Sequence, residues 1–216
     1  MATDLLTPAA RQTLGDQLAR GADALGLALP AEIRVHLLDY LGLLLRWNAA
    51  YNLTAVRDPA QMVTRHLLDS LAILPFVRGD SLADLGSGAG LPGLVLAIAA
   101  PGRRVVLVDA NGKKARFLRE AARSLGLSQV RVEQQRVEDL RGTFDCVTAR
   151  AFATLADMLT WGGHLLAPDG IWLAMKGPGA ADELAGLPAG FVLRAAQPLQ
   201  VPGLDASRQL LLLGRA

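Results

Sequence analysis

The sequence predicts an α/β fold, a doubly wound and mostly parallel seven-stranded sheet with helices on both faces, preceded by an N-terminal helical extension. Three observations predict it. The glycine-rich stretch Asp84-Leu85-Gly86-Ser87-Gly88-Ala89-Gly90-Leu91-Pro92-Gly93 turns a short apolar strand into a helix. Beyond it, apolar runs of strand length alternate with segments of helical period, the pattern of a sheet covered on both sides. The last two apolar runs are joined only through Pro202-Gly203-Leu204-Asp205, too short for a crossover helix, so they should pair antiparallel.

In chain order, Thr7-Pro8 opens a first helix reaching about Arg20, before Gly21. Pro30 opens a longer one over about 31–49, whose leucines cover most of its circumference and leave a narrow stripe of Glu32, His36, Asp39 and Arg46. The chain leaves that helix through Trp47-Asn48-Ala49-Ala50-Tyr51-Asn52-Leu53-Thr54. Asp58-Pro59 caps a short helix, and Arg65-His66-Leu67-Leu68-Asp69-Ser70 lies on the next, ending near Pro75. On it Arg65 and His66 can each meet Asp69, as an ordinary surface pair or with Asp69 holding one of them toward a cleft. One histidine and one aspartate do not make a coordination sphere, so no metal is expected. Residues 1–78 form the extension and 79–216 the core, where strands are expected near 82–85, 104–109, 130–134, 144–149, 170–176, 190–199 and 207–213. Helices are expected near 92–100, with Pro92 in the first turn, and near 112–126, 154–165 and 180–187.

The chain has 216 residues, 51% of them hydrophobic, enough to bury a core without staples. Cys146 is the single cysteine, so an internal disulfide is excluded; within Phe144-Asp145-Cys146-Val147 it reads as a buried strand residue. The longest uncharged run, Leu85 to Gly102, spans 18 residues but holds five glycines and two prolines, too broken to cross a bilayer. The N-terminus, with Asp4, is not a signal peptide, and a soluble cytoplasmic protein is expected. From Arg103 to Arg150 eleven Lys or Arg face six acids, which suits a polyanionic substrate as well as an ordinary solvated face.

In doubly wound sheets ligands lie beyond the carboxyl ends of the strands. The residues there are Asp84 and Gly86, then Asp109, then Val137-Glu138, then Arg150-Ala151-Phe152, then Lys176-Gly177. Gly86 and Gly88 keep the loop backbone bare. Gly88-x-Gly90-x-x-Gly93 also satisfies the dinucleotide fingerprint, which leaves a nicotinamide oxidoreductase in view. Asp84, however, repels a pyrophosphate and suits the ammonium or sulfonium of S-adenosylmethionine, and a terminal antiparallel hairpin is typical of class I methyltransferases that use this cofactor. Asp109 is placed for ribose hydroxyls, which both cofactors possess; Val137 and Glu138 are placed for an adenine, or are plain loop residues.

These residues carry a specific resemblance. Trp47-Asn48-x-x-Tyr51-Asn52-Leu53-Thr54, Arg65-His66-x-x-Asp69-Ser70, the loop ending Gly90-Leu91-Pro92-Gly93, Gly112-Lys113-Lys114, Arg150-Ala151-Phe152 and Lys176-Gly177 are similar to the glucose-inhibited division protein B family, collinearly over about residues 30–213. The resemblance implies methylation of N7 of a guanine in the 530 loop of bacterial 16S ribosomal RNA, at nucleotide 527. It implies cofactor contacts at Gly86, Leu91, Asp109, Val137, Glu138 and Arg150. Lys114 stands where arginine is expected, keeping charge and losing bidentate geometry. Guanine N7 needs no general base, so catalysis can rest on positioning. Arg65, Arg150 and Lys176 are then expected on phosphate or the O6 and N7 edge, with Asn52 shaping the base pocket. The expected partner is 16S ribosomal RNA or the small subunit, neither DNA nor membrane, met by a monomer. A non-catalytic RNA or ribosome binder of the same fold is the other class.

Overall fold

The structure, a computed structural model, describes residues 6–151, 153–180 and 182–216; Asp4 and Phe152, both used above, lie outside them. Helix α1 (Pro8–Ala24) begins as expected, with Thr7 Oγ1 accepting from Ala10 N. It passes through Gly21 instead of ending there. A Cβ at Gly21 would lie 2.3 Å from Leu68 Cδ1, so that glycine serves close helix packing, and the turn is made at Gly26 with φ +71°. Helix α2 (Ala31–Tyr51) ends at Asn52 in the left-handed region, φ 50° and ψ 54°. Helix α3 (Pro59–Met62), capped by Asp58, runs without a break into a π-helical stretch (Val63–Leu68) and α4 (Asp69–Leu71).

The core holds strands β1 (Ser81–Leu85), β2 (Arg104–Val108), β3 (Val130–Glu133), β4 (Phe144–Arg150), β5 (Leu166–Lys176), β6 (Phe191–Leu199) and β7 (Arg208–Arg215). Helices α5 (Gly93–Ala99), α6 (Gly112–Ser124) and α7 (Leu155–Gly162) connect the parallel strands. The sheet order is β3-β2-β1-β4-β5-β7-β6; β7 runs antiparallel to both β5 and β6. Three expectations shift. Pro92 precedes α5 as its N-cap. β5 starts at Leu166, because Phe144 pairs with Leu166 across a bulge that absorbs the residues read as a loop. Near 180–187 the described residues form only a 3₁₀ turn, Asp182–Gly186, between Gly179 (φ +84°) and Pro188.

Alternate strand residues divide between two cores, as the pleat requires. Leu82, Leu107, Cys146 and Leu173 face α5, α6 and the helical extension, while Ala83, Val108, Val147 and Trp172 face α7. Cys146 is buried, and burial pushes its thiol up to about 12. Among the described residues no helix is long and apolar enough to cross a membrane.

Candidate functional site

The turn after β1 is built from glycines in the left-handed region, Gly86 at φ +67°, Gly88 at +58° and Gly90 at +88°. Ser87 fixes it to β2: its N–H donates to Val108 O (3.0 Å), its Oγ accepts from Val108 N (3.1 Å) and donates to Asp84 O (2.8 Å). Asp84 is fully buried beneath this turn. Its Oδ2 accepts from Gly93 N at 3.0 Å, and a Cβ at Gly93 would lie 2.5 Å from that oxygen. Burial pushes the carboxyl up to about 7, against the pull of the Gly93 N–H and of Arg150. The expectation that Asp84 faces a cofactor cation is therefore corrected. Its carboxylate clamps the start of α5 from below, and the loop backbone is what borders the cleft.

Two cavities open beyond the strand ends, joined at Gly86, Lys114 and Ala151. One, of about 430 Å³, is bordered by Asp109, Val137, Glu138 and Trp161. Asp109 Oδ2 accepts from Gly88 N (2.9 Å) and Oδ1 from Asn111 N (2.8 Å), so β2's last carboxylate ties the glycine turn to the start of α6. Lys114 Nζ stands 3.8 Å from the same carboxylate.

The other cavity, of about 440 Å³, is bordered by Thr54, Gly88, Leu91, Arg150, Lys176 and Arg208. Its electrostatics turn on Asp69, whose Oδ2 accepts from Arg150 Nη1 (2.8 Å) and whose Oδ1 accepts from Arg208 Nε (3.2 Å). Neither Arg65 nor His66 pairs with Asp69, contrary to expectation. In the π-helical stretch Asp69 N–H donates to Thr64 O, five residues back, which rotates Asp69 out of the ordinary i, i+4 register with Arg65. Arg65 is exposed, its Nε donating to Gln61 Oε1 (3.1 Å), and only its carbonyl meets the cluster, accepting from Arg150 Nη1 (3.0 Å). His66 bonds Thr54 Oγ1 through Nε2 (2.9 Å), and burial lowers its pKa to about 4, leaving it neutral near pH 7. Lys176 Nζ donates to Ala153 O (2.9 Å) and Glu183 Oε2 (2.8 Å). Asn52 borders neither cavity; its Oδ1 accepts from Arg57 Nη2 (2.6 Å), and its turn delivers Leu53 and Thr54 to the cavity wall.

A bare-backbone glycine turn, a strand-end carboxylate and a cationic chamber beside them suit a nucleoside-containing cofactor without specifying the reaction. The family model for rRNA small subunit methyltransferase G matches residues 34–212. The chain belongs to this family. A ribosomal RNA small subunit methyltransferase G of Stenotrophomonas maltophilia (strain K279a) is 57% identical over 195 residues, 89% of this chain and 91% of its own. The protein of that name from Pseudomonas paraeruginosa is 52% identical over 203 residues, 93% and 95% of the two chains. Among solved structures, magnesium protoporphyrin IX methyltransferase from Synechocystis with bound S-adenosylmethionine superposes with TM-score 0.59 at 16% identity, covering 82% of this chain and 98% of that one. TrmN from Thermus thermophilus gives 0.57 at 22% identity, over 71% and 53%. Both share the fold.

As a methyltransferase G family member the protein is an enzyme, and its cofactor is S-adenosylmethionine; the nicotinamide alternative is set aside. The residues present fit that cofactor. Each Asp109 oxygen accepts one backbone N–H and keeps a lone pair for a hydroxyl. Buried Val137 offers an apolar wall, and Gly86, without a side chain, borders both cavities. Ala151, at φ +49°, holds β4's end in a strained turn between the two chambers. Sequence reading missed Arg208 and Glu183. Arg208 had a signal: an antiparallel return strand begins where β5 ends, so its first residue shares Lys176's end of the sheet.

Proposed function

We propose that this methyltransferase modifies N7 of a guanine in the 530 loop of 16S ribosomal RNA, nucleotide 527, acting as a cytoplasmic monomer on the small subunit or its RNA. The observation that carries the reading is the cationic chamber of Arg150, Arg208 and Lys176, joined to the chamber bordered by Asp109, Val137 and Glu138. S-adenosylmethionine supplies an electrophilic methyl group when bound. A guanine N7 has a lone pair and no proton, so the protein provides no base. Among the described residues the one carboxylate bordering the second chamber, Asp69, is already engaged by two arginines, which suits this. Asp109 receives the ribose hydroxyls, Val137 and Glu138 meet the adenine, and Gly86, Gly88 and Leu91 shape the passage toward the second chamber.

Held by Asp69, Arg150 and Arg208 offer their remaining N–H groups to O6 or to a phosphate, and Lys176 adds a third cation. Arg65 meets phosphate from the exposed rim, and Asn52 shapes the base pocket through its turn. A loop nucleotide splayed from its stack is the form of guanine this chamber admits. The test is transfer of labelled methyl to small subunits, and separately to naked 16S RNA, from cells lacking this protein, followed by chemical cleavage at N7-methylguanine. A single mark in the 530 loop is expected. Transfer elsewhere, or to neither substrate, overturns the assignment.

A further inference from the structure

Trp47 and Tyr51 stand four residues apart on α2, and neither borders the cavities. Their rings stack, with centroids 5.1 Å apart and planes inclined by 26°. They end a row of aromatic rings that begins in the core. Fully buried Tyr40 and Phe117 lie 6.5 Å apart, Trp47 packs on Phe117 at 5.7 Å, and Tyr51 covers Trp47 at the surface. Trp47 belongs to the margin of the core, whereas Tyr51 packs on none of the core residues. Tyr51 is thus a half-buried ring whose foundation is Trp47.

A guanidinium stands over the same turn of α2. On α6, which meets Trp47 through Phe117, Lys113 lies one helical turn before Phe117 and is exposed, whereas Lys114 points its Nζ to Asp109, 3.8 Å away. Lys114 also borders both cavities. The Arg57 guanidinium is held over the last turn of α2, donating to Asn48 O (3.2 Å) and Asn52 Oδ1 (2.6 Å). After Tyr51 the chain continues through Asn52 to Leu53 and Thr54 in the cavity wall. A braced aromatic ring beside a held guanidinium and continuous with a nucleotide-sized cleft is the combination by which proteins hold unpaired nucleic acid, stacking bases and tracking phosphates.

We propose that Tyr51, backed by Trp47, is a stacking platform for an unpaired RNA base flanking the target guanine, with Arg57 and Lys113 contacting the adjoining phosphates. This rests on the RNA reading above and extends it to a second subsite. The test compares Tyr51→Ala, Tyr51→Leu and Tyr51→Phe with the wild-type enzyme on small subunits lacking the mark, and adds ultraviolet crosslinking of the wild-type complex. Loss of one base stack corresponds to a roughly five- to 150-fold weaker interaction. Tyr51→Ala and Tyr51→Leu should raise KM for subunits within that range, S-adenosylmethionine affinity should stay within about twofold, Tyr51→Phe should behave as wild type, and the peptide containing Tyr51 should carry a nucleotide. Unchanged KM in Tyr51→Ala, rescue by the non-aromatic Tyr51→Leu, or a crosslink to ribosomal protein in place of RNA overturns the proposal. Absence of methyl transfer by the wild-type enzyme to either subunits or naked RNA overturns the RNA reading itself, before any variant is compared.

Discussion

Asp69 holds two guanidiniums at the wall of the second chamber with one carboxylate that is 1% exposed. Asp69→Ala leaves Arg150 and Arg208 facing each other without their shared counter-charge. The expected outcome is a loss of about 2 kcal/mol in stability, read from the urea midpoint, and at least about a tenfold fall in methyl transfer. Asp69→Asn keeps an acceptor for one arginine and should lose less stability while losing comparable activity. Of this cluster only Arg150 was readable from a strand end, because the topology of a doubly wound sheet gathers it with Asp109 and Lys176 beyond the carboxyl ends of the strands. Its pairing with Asp69 was not. The i, i+4 spacing of Arg65 and Asp69 pointed to each other, and only the π-helical turn shows that Asp69 instead faces β4 and β7.

At the scale of one element, the turn from β1 to α5 depends on Asp84 clamping Gly93. In the unfolded chain an aspartate titrates near 3.9, whereas burial pushes Asp84 up to about 7. Between those values the native state keeps a proton that the unfolded chain has released, so stability falls as pH rises, by up to about 1.4 kcal/mol per pH unit, and levels off above about pH 7. Asp84→Asn has no such proton to keep. Urea titrations at pH 5 and pH 7.5 should therefore show a smaller decline in the variant than in the wild-type enzyme. The glycine turn itself was plain in the sequence. Asp84's direction was encoded there too, since alternation along Ser81–Leu85 puts it on the same face as Leu82, under α5. The attraction of an acid beside a glycine loop for a cationic cofactor outweighed that simpler count. Near 180–187 the flanking Gly179 and Pro188 were visible in the sequence, and the described residues between them form a 3₁₀ turn, Asp182–Gly186, in place of the expected helix.

Across the whole molecule, helical extension and sheet share one core. Leu37, Leu41, Leu44 and Leu71 from the extension belong to the same buried cluster as Leu94, Ile98 and Phe117 from the core. Tyr40 Oη donates to Ala89 O at 2.7 Å, joining α2 to the glycine turn in a setting where burial pushes the phenol's pKa far up. The change from helical to strand patterning near residue 79 is clear in the sequence, but a change of pattern does not reveal which faces are shared. Helix α5 is buried along Gly93–Ile98, and the extension covers the side turned away from the sheet. Each large apolar side chain uncovered there forfeits about 1.5–3 kcal/mol, and a few of them equal the roughly 5–15 kcal/mol that holds a domain of this size together. A fragment comprising residues 79–216 is accordingly expected to lack a cooperative thermal transition and to bind no S-adenosylmethionine, measured by circular dichroism and calorimetry. Adding the separate fragment 1–78 in excess should restore part of both signals. A fragment that melts cooperatively and binds the cofactor alone would make the extension an accessory layer, and would confine its contribution to the wall of the second chamber, where Leu53, Thr54 and Asp69 meet Arg150 and Arg208.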